Sequence, residues 1–132
     1  AIKSLVRLKD NIILTGHVEG QEKIELYKNC TLYCLPSYSE GLPTSVLEAM
    51  SFGKPVITTP VGGLKNFFQD GVMGFFVQPK DSDDLESKLR ILLKDQGLRK
   101  KIGKFNFDYA HQHIMSDKVA KKMFEEIKVF LK

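Results

Sequence analysis

No apolar run in this 132-residue chain approaches the ~20 residues that span a bilayer, so no transmembrane helix is expected. The first residues, Ala1-Ile2-Lys3-Ser4-Leu5-Val6-Arg7, lack the long apolar core of a signal peptide, and a cytoplasmic protein is the expectation. Cysteine is scarce: Cys30 and Cys34 are the only two, their spacing is not CxxC, and no second pair exists to complete a zinc site. Cys34 lies in the apolar run Leu32-Tyr33-Cys34-Leu35, where a reduced, buried thiol is expected. Internal repeats, low-complexity tracts and linkers are absent, and this length suits one core. An initial Met is missing too, which fits a piece excised from a longer chain.

What is present is ordinary for a globular domain, with 42% hydrophobic and 27% charged residues. The net charge of +4 is modest, but much of the excess sits in Lys94 to Lys104 and Lys118 to Lys132. A basic C-terminal third suits acidic phospholipid or anionic substrates. A solvated helix surface is the simpler reading. No nucleic-acid motif accompanies the charge.

Along the chain, short β-like runs alternate with helical patterns. Asn11 to Thr15 is a continuous apolar run closed by Gly16; Thr31 to Leu35 ends at Pro36, Val56 to Thr59 at Pro60, and Gly74 to Val77 shortly before Pro79. Such runs suit strands buried on both faces, as in a parallel sheet. Helices are expected over Gln21 to Asn29, Pro43 to Phe52, Leu64 to Asp70, Asp81 to Lys94 and Asp117 to Leu131. The fourth begins with Asp81, Ser82 and Asp83, which are good caps, and places Leu85, Leu89, Leu92 and Leu93 at helical spacing. The pattern is α/β: a parallel sheet with helices on both faces, linked by right-handed crossovers. Ligands of such sheets sit at the carboxyl ends of the strands near a topological switch point, here the loops after Leu14, Leu35, Thr59 and Val77.

The second of these loops carries the chemistry. Gly41, without a Cβ, lets backbone approach a ligand closely. Pro43 starts a helix whose first amides have no intrahelical partner, which makes a site for phosphate. At about 100° per residue, Val46, Leu47 and Met50 share one face, while Thr44, Ser45 and Glu48 fall on the other. Glu40 can approach the same ligand from the N-terminal end of the helix. The array could hold a phosphate at the amides and sugar hydroxyls at the carboxylates, as a nucleotide sugar requires. The same residue types also serve as ordinary helix caps and solvated side chains.

Glu40 and Glu48, with seven residues between them, match the E-x7-E motif of retaining GT-B glycosyltransferases. The wider run from Pro36 to Ile57, PSYSEGLPTSVLEAMSFGKPVI, is similar to family 4 (glycosyl transferases group 1) at nearly every position. The similarity continues into Val61-Gly62-Gly63, Asp70-Gly71, Gly74-Phe75 and Val77 to Pro79, and covers Asn11 to about Lys104.

The resemblance implies the Rossmann-like C-terminal half of a GT-B fold, with residues 1–132 forming a single, partial nucleotide-sugar-binding domain. Glu40 would contact hydroxyls of the transferred sugar, as the candidate catalytic residue, together with the amides of Gly41 and Leu42. Pro43, Thr44 and Ser45 would lie by the diphosphate, Glu48 would hold the ribose hydroxyls, and Gly16, His17 and Val18 would approach the nucleobase. The donor would be a UDP- or GDP-sugar bound without a metal, the charge of the leaving diphosphate being met by amides and basic residues. The acceptor would be a glycan or a lipid-linked sugar, the latter implying peripheral contact at the inner face of the membrane.

Two departures from the family pattern stand out. Asn66 and Phe67 occupy the region after Gly62-Gly63 where an acidic residue is frequent. The strand–helix–strand segment that carries Arg and Lys for the diphosphate would precede Ala1, as would the N-terminal acceptor domain, so little transfer is expected of this chain alone.

Other candidates have simpler explanations. His17 as a catalytic base would need a partner that the sequence does not identify. His111 and His113 lack the i, i+4 spacing of a helical metal pair and suit a surface. Tyr38, Phe67, Phe68, Phe75 and Phe76 could touch a lipid or acceptor, although core packing accounts for most of them. The apolar stripe from Val119 to Leu131 suits packing across two domains, with a membrane-surface helix as its rival. Beside a transferase, a non-catalytic nucleotide-sugar module and a purely structural or interaction domain are the alternatives. A sugar phosphorylase would need a pyridoxal-phosphate lysine, for which no local match exists.

Overall fold

The computed structural model describes residues 10–39, 41 and 44–113. Among these residues three strands, β1 (Tyr33–Leu35), β2 (Val56–Thr58) and β3 (Gly74–Phe76), form a parallel sheet in the order β1-β2-β3. Tyr33 lies opposite Val56, and Val56 opposite Gly74. Among the described residues five helices surround it: α1 (Gly20–Asn29), α2 (Thr44–Ser51), α3 (Leu64–Phe67), α4 (Ser82–Lys94) and α5 (Gln96–His113).

Alternation along each strand sorts the core into two layers. Tyr33, Leu35, Val56 and Phe76 pack with Val46, Ala49 and Met50 of α2, Leu64 of α3 and Ala110 of α5. Cys34, Ile57 and Phe75, one residue out of phase, pack with Leu85, Leu89 and Leu92 of α4 and Ile102 of α5. Helices therefore cover both faces, as the alternating pattern implies, and α5 contributes to both layers.

Local chemistry sets the helix limits. Asp81 caps α4 by accepting from the Asp84 amide at 3.0 Å. Asp95 interrupts the helical run and caps the next one, its Oδ1 accepting from the Leu98 amide at 2.9 Å. Arg99 then closes the carboxyl end of α4 by donating to the carbonyls of Leu92 and Leu93 at 2.6 and 2.9 Å. Two glycines are required by close approach. A Cβ on Gly74, whose φ is +136°, would lie 1.7 Å from the Val56 carbonyl oxygen, and one on Gly103 of α5 would lie 2.3 Å from that of Gly53.

Three expectations are corrected. Asn11–Thr15 is not a strand: among the described residues it pairs with no neighbour, and Ile13 is 84% exposed. An apolar run becomes a strand only where another chain segment satisfies its backbone. The described strands run in sequential order, so they contain no switch point. The sequence pattern does not announce α5, the longest of the described helices, because its apolar positions are interrupted by lysines and by the buried Asn106. The helix expected over Asp117–Leu131 lies outside the described residues. Among those described, no helix is long and apolar enough to cross a membrane.

Candidate functional site

Because the strands are parallel, the loops after β1, β2 and β3 emerge at one edge of the sheet, and specific bonds tie them together. Thr58 donates its hydroxyl to the Leu35 carbonyl at 2.9 Å, and Thr59 donates to the Ser37 carbonyl. Both threonines are fully buried at the end of β2. The Gly63 amide donates to the Gly41 carbonyl at 3.2 Å. The β1–α2 loop is thus held from the β2–α3 loop at two points, one on each side of position 40. The loop after β3 joins them where the Lys80 ammonium lies 5.6 Å from the centre of the Tyr38 ring.

Helix α2 rises from this edge. Val46, Ala49 and Met50 are fully buried against the sheet, the i, i+3, i+4 face that a helix in this position must present. Thr44 is exposed at the helix start and Ser45 is half-buried. Leu47 is only partly buried, so the apolar face is centred one position away from the sequence reading.

Glu48 is the larger surprise. It does not lie on a solvated edge: it is 7% exposed, covered from the side by α1. Lys23 of α1 reaches its carboxylate, with Nζ 3.4 Å from Oε1 and 3.3 Å from Oε2. One turn further along α1, the Tyr27 hydroxyl donates to the Ser45 carbonyl at 3.3 Å. Burial first, and then the neighbouring Glu48 carboxylate, push the Tyr27 hydroxyl well above the usual phenol range. Nothing in the sequence tied Lys23 or Tyr27 to Glu48; the packing of α1 on α2 did.

The segment leading into α1 carries the remaining candidates. Gly16 has a φ of +68° and open space where a Cβ would be, His17 is exposed, and Val18 is half-buried. His17 gains the partner that sequence could not supply: its Nε2 lies 2.6 Å from Oε1 of the exposed Glu19. The imidazole holds the Glu19 carboxyl below the usual carboxylate range, through a hydrogen bond and charge. Glu40, Leu42 and Pro43 lie outside the described residues, so the structure brings Gly41, Ser45 and Glu48 to one edge without placing Glu40.

The other candidates take structural places. Cys30 and Cys34 are half-buried free thiols, and burial pushes both upward. Phe68 packs on Phe76 with ring centres 4.9 Å apart. His111 and His113 sit in the last turn of α5 against Phe107 and Tyr109, at 3.9 and 4.2 Å between ring centres. Among the described residues no group of three His, Cys, Asp or Glu side chains gathers as a metal site would.

A parallel sheet whose carboxyl-edge loops are bound together around a helix start defines a Rossmann-like ligand-binding domain. Residues 3–108 match the family model of the glycosyl transferases group 1, and the chain belongs to that family. It is 40% identical over 95 residues to a sulfoquinovosyl transferase of Arabidopsis thaliana, a match covering 70% of this chain and 19% of the relative. It is 37% identical over 81 residues to the N,N'-diacetylbacillosaminyl-diphospho-undecaprenol alpha-1,3-N-acetylgalactosaminyltransferase of Campylobacter jejuni, covering 61% of this chain and 22% of that one. The fold is similar to the crystal structure of the C-terminal domain of a group 1 family glycosyl transferase, LpcC, from Francisella tularensis. That likeness has a TM-score of 0.75 and 28% identity, over 85% of this chain and 60% of the other. The architecture is that of the C-terminal half of a GT-B glycosyltransferase, and the chain spans about a fifth of the length of these curated relatives.

Proposed function

We propose that this chain is the donor-binding part of a retaining glycosyltransferase, which transfers a hexose from a nucleotide diphosphate sugar to a glycan or lipid-linked acceptor. The observation that carries the proposal is the buried carboxylate of Glu48, on the helix that starts at the carboxyl edge of the sheet. A carboxylate kept at 7% exposure needs hydrogen-bond donors, and a vicinal diol supplies two. Ribose hydroxyls at Glu48 would leave the diphosphate by the first turn of α2, at Thr44 and Ser45, where unpaired amides and the helix dipole favour anions.

The remaining roles follow the direction of the ligand. The transferred sugar would meet Glu40 and the amides of Gly41 and Leu42, and the base would lie toward Gly16, His17 and Val18. As the glycosidic bond breaks, negative charge grows on the departing diphosphate. Amides and basic side chains would stabilise it without a metal ion. The acceptor would enter from an N-terminal domain facing this edge, in an enzyme working in the cytoplasm or at the inner face of the membrane. The sugar-transferring relatives support the reaction class.

Calorimetry on the full-length protein that carries this chain tests the site. UDP- and GDP-sugars should bind with micromolar to millimolar affinity, and Glu48→Ala should weaken the cognate donor by ten- to a hundredfold, consistent with about 1.5–3 kcal/mol for bonds to a charged group. A folded Glu48→Ala protein with unchanged donor affinity would remove Glu48 from the site.

A further inference from the structure

We infer that Lys23 is a positioning residue of the donor site, aiming the Glu48 carboxylate for ribose. The inference rests on the donor-site reading above and adds a residue from a different helix, 25 positions away in sequence.

A carboxylate at 7% exposure cannot keep its charge cheaply by hydration, and needs a nearby cation or several donors. Lys23 provides the cation. Its ammonium lies 3.3 and 3.4 Å from the two carboxylate oxygens, nearly symmetric and longer than a tight ion pair. A bond of that length neutralises the charge without saturating the oxygens, each of which accepts about two hydrogen bonds. Capacity therefore remains for a diol.

Lys23 is also the partner with access to solvent, half-exposed where Glu48 is not. The side of α1 that bears Lys23 is fixed by Ile24 and Tyr27, both buried, and by the Tyr27 hydroxyl bonded to the Ser45 carbonyl. Helix α1 thus holds α2 at two points one turn apart. The backbone at Ser45 is held by Tyr27, and the side chain of Glu48 is aimed by Lys23. The segment Gly16–Val18 runs directly into α1, so a ligand contacting that loop would also bear on the helix that aims Glu48.

The effect of Lys23 should appear only where ribose hydroxyls are present. Binding is measured by calorimetry on the full-length protein, with UDP and GDP as probes, and then with the 2′,3′-dideoxy form of whichever binds. The wild type should prefer the ribonucleotide by about tenfold, and Glu48→Ala should abolish that preference. Lys23→Met should weaken the ribonucleotide by about tenfold and leave the dideoxynucleotide within twofold of wild type. Lys23→Arg should recover most of the loss. Thermal unfolding of Lys23→Met and of the paired variant Lys23→Met/Glu48→Gln, which leaves no lone buried charge, controls for misfolding.

The inference is overturned if Lys23→Met binds the ribonucleotide as well as or better than wild type while Glu48→Ala still loses the ribose preference. It is equally overturned if Lys23→Met weakens both nucleotides alike, which would mean a phosphate contact or a general defect. If Glu48→Ala leaves the ribose preference intact, the donor-site reading fails and the role of Lys23 fails with it.

Discussion

Asn106 is fully buried on α5, and its side-chain nitrogen donates to the carbonyls of Lys54 and Met73 at 2.9 and 2.8 Å. These carbonyls belong to the segments that enter β2 and β3, so one amide joins the helix to two strands at the edge opposite the loops that follow the strands. Among the described residues its Oδ1 has no partner, a cost the fold accepts for those two bonds. Asn106→Ala should therefore destabilise the protein by about 2–3 kcal/mol, since the carbonyls it serves lose their donors. Urea unfolding would measure this, and a loss below about 0.5 kcal/mol would show that water replaces the amide. Glu48 poses the same problem of burying a polar group, but solves it with a charge from another helix. Residue type alone does not predict either burial: an Asn or Glu in a helical run is usually solvated, and only its neighbours reveal otherwise.

Helix α5 is where composition misleads most. Its apolar residues are outnumbered by polar ones, yet Ile102, Gly103, Asn106 and Ala110 form its buried side, at the i, i+4 and i+8 spacing from Ile102. Small or polar residues at three of these four positions hide the stripe from a reading based on hydrophobicity. The contact with the turn that follows α2 depends on that smallness, because Gly103 faces the backbone of Gly53. Replacing glycine by alanine inside a helix normally gains about 1 kcal/mol. At Gly103 the new methyl would lie 2.3 Å from a carbonyl oxygen, and overpacking should win by about 1–3 kcal/mol. Gly97 is the control: a Cβ there meets only the Asp95 side chain at 3.5 Å, so Gly97→Ala should be neutral or mildly stabilising. Thermal melts of the two variants should shift in opposite directions, or the second not at all. Equal shifts would discount that contact.

For the molecule as a whole, the proposed chemistry places the burden of the diphosphate on amides and basic side chains. Donor affinity of the full-length protein should change less than twofold when EDTA replaces magnesium in the calorimeter. A tenfold loss would reassign part of the diphosphate charge to a metal ion. Scale also explains the correction at Asn11–Thr15. Its apolar character reads as a strand, but a strand is a property of a pair, and the three described strands pair in sequence order from β1 to β3 without it. Helices α1 to α4 and strands β1 to β3 were all legible because caps, prolines and runs of apolar residues act locally, through neighbours a few positions away.

By itself the sequence determined the α/β alternation, the place of the loop after Leu35 in which the donor site is proposed, and the family to which residues 3–108 belong. Each depends on short-range patterning or on a contiguous run of motif residues. Tertiary structure alone decided that Glu48 is buried rather than solvated, that Lys23 reaches it, and that Thr58, Thr59 and Gly63 hold the loop on both sides of position 40. The physical reason is the same in each case: these bonds join residues 22 to 25 positions apart through the packing of separate elements, and helical or strand periodicity carries no information at that range.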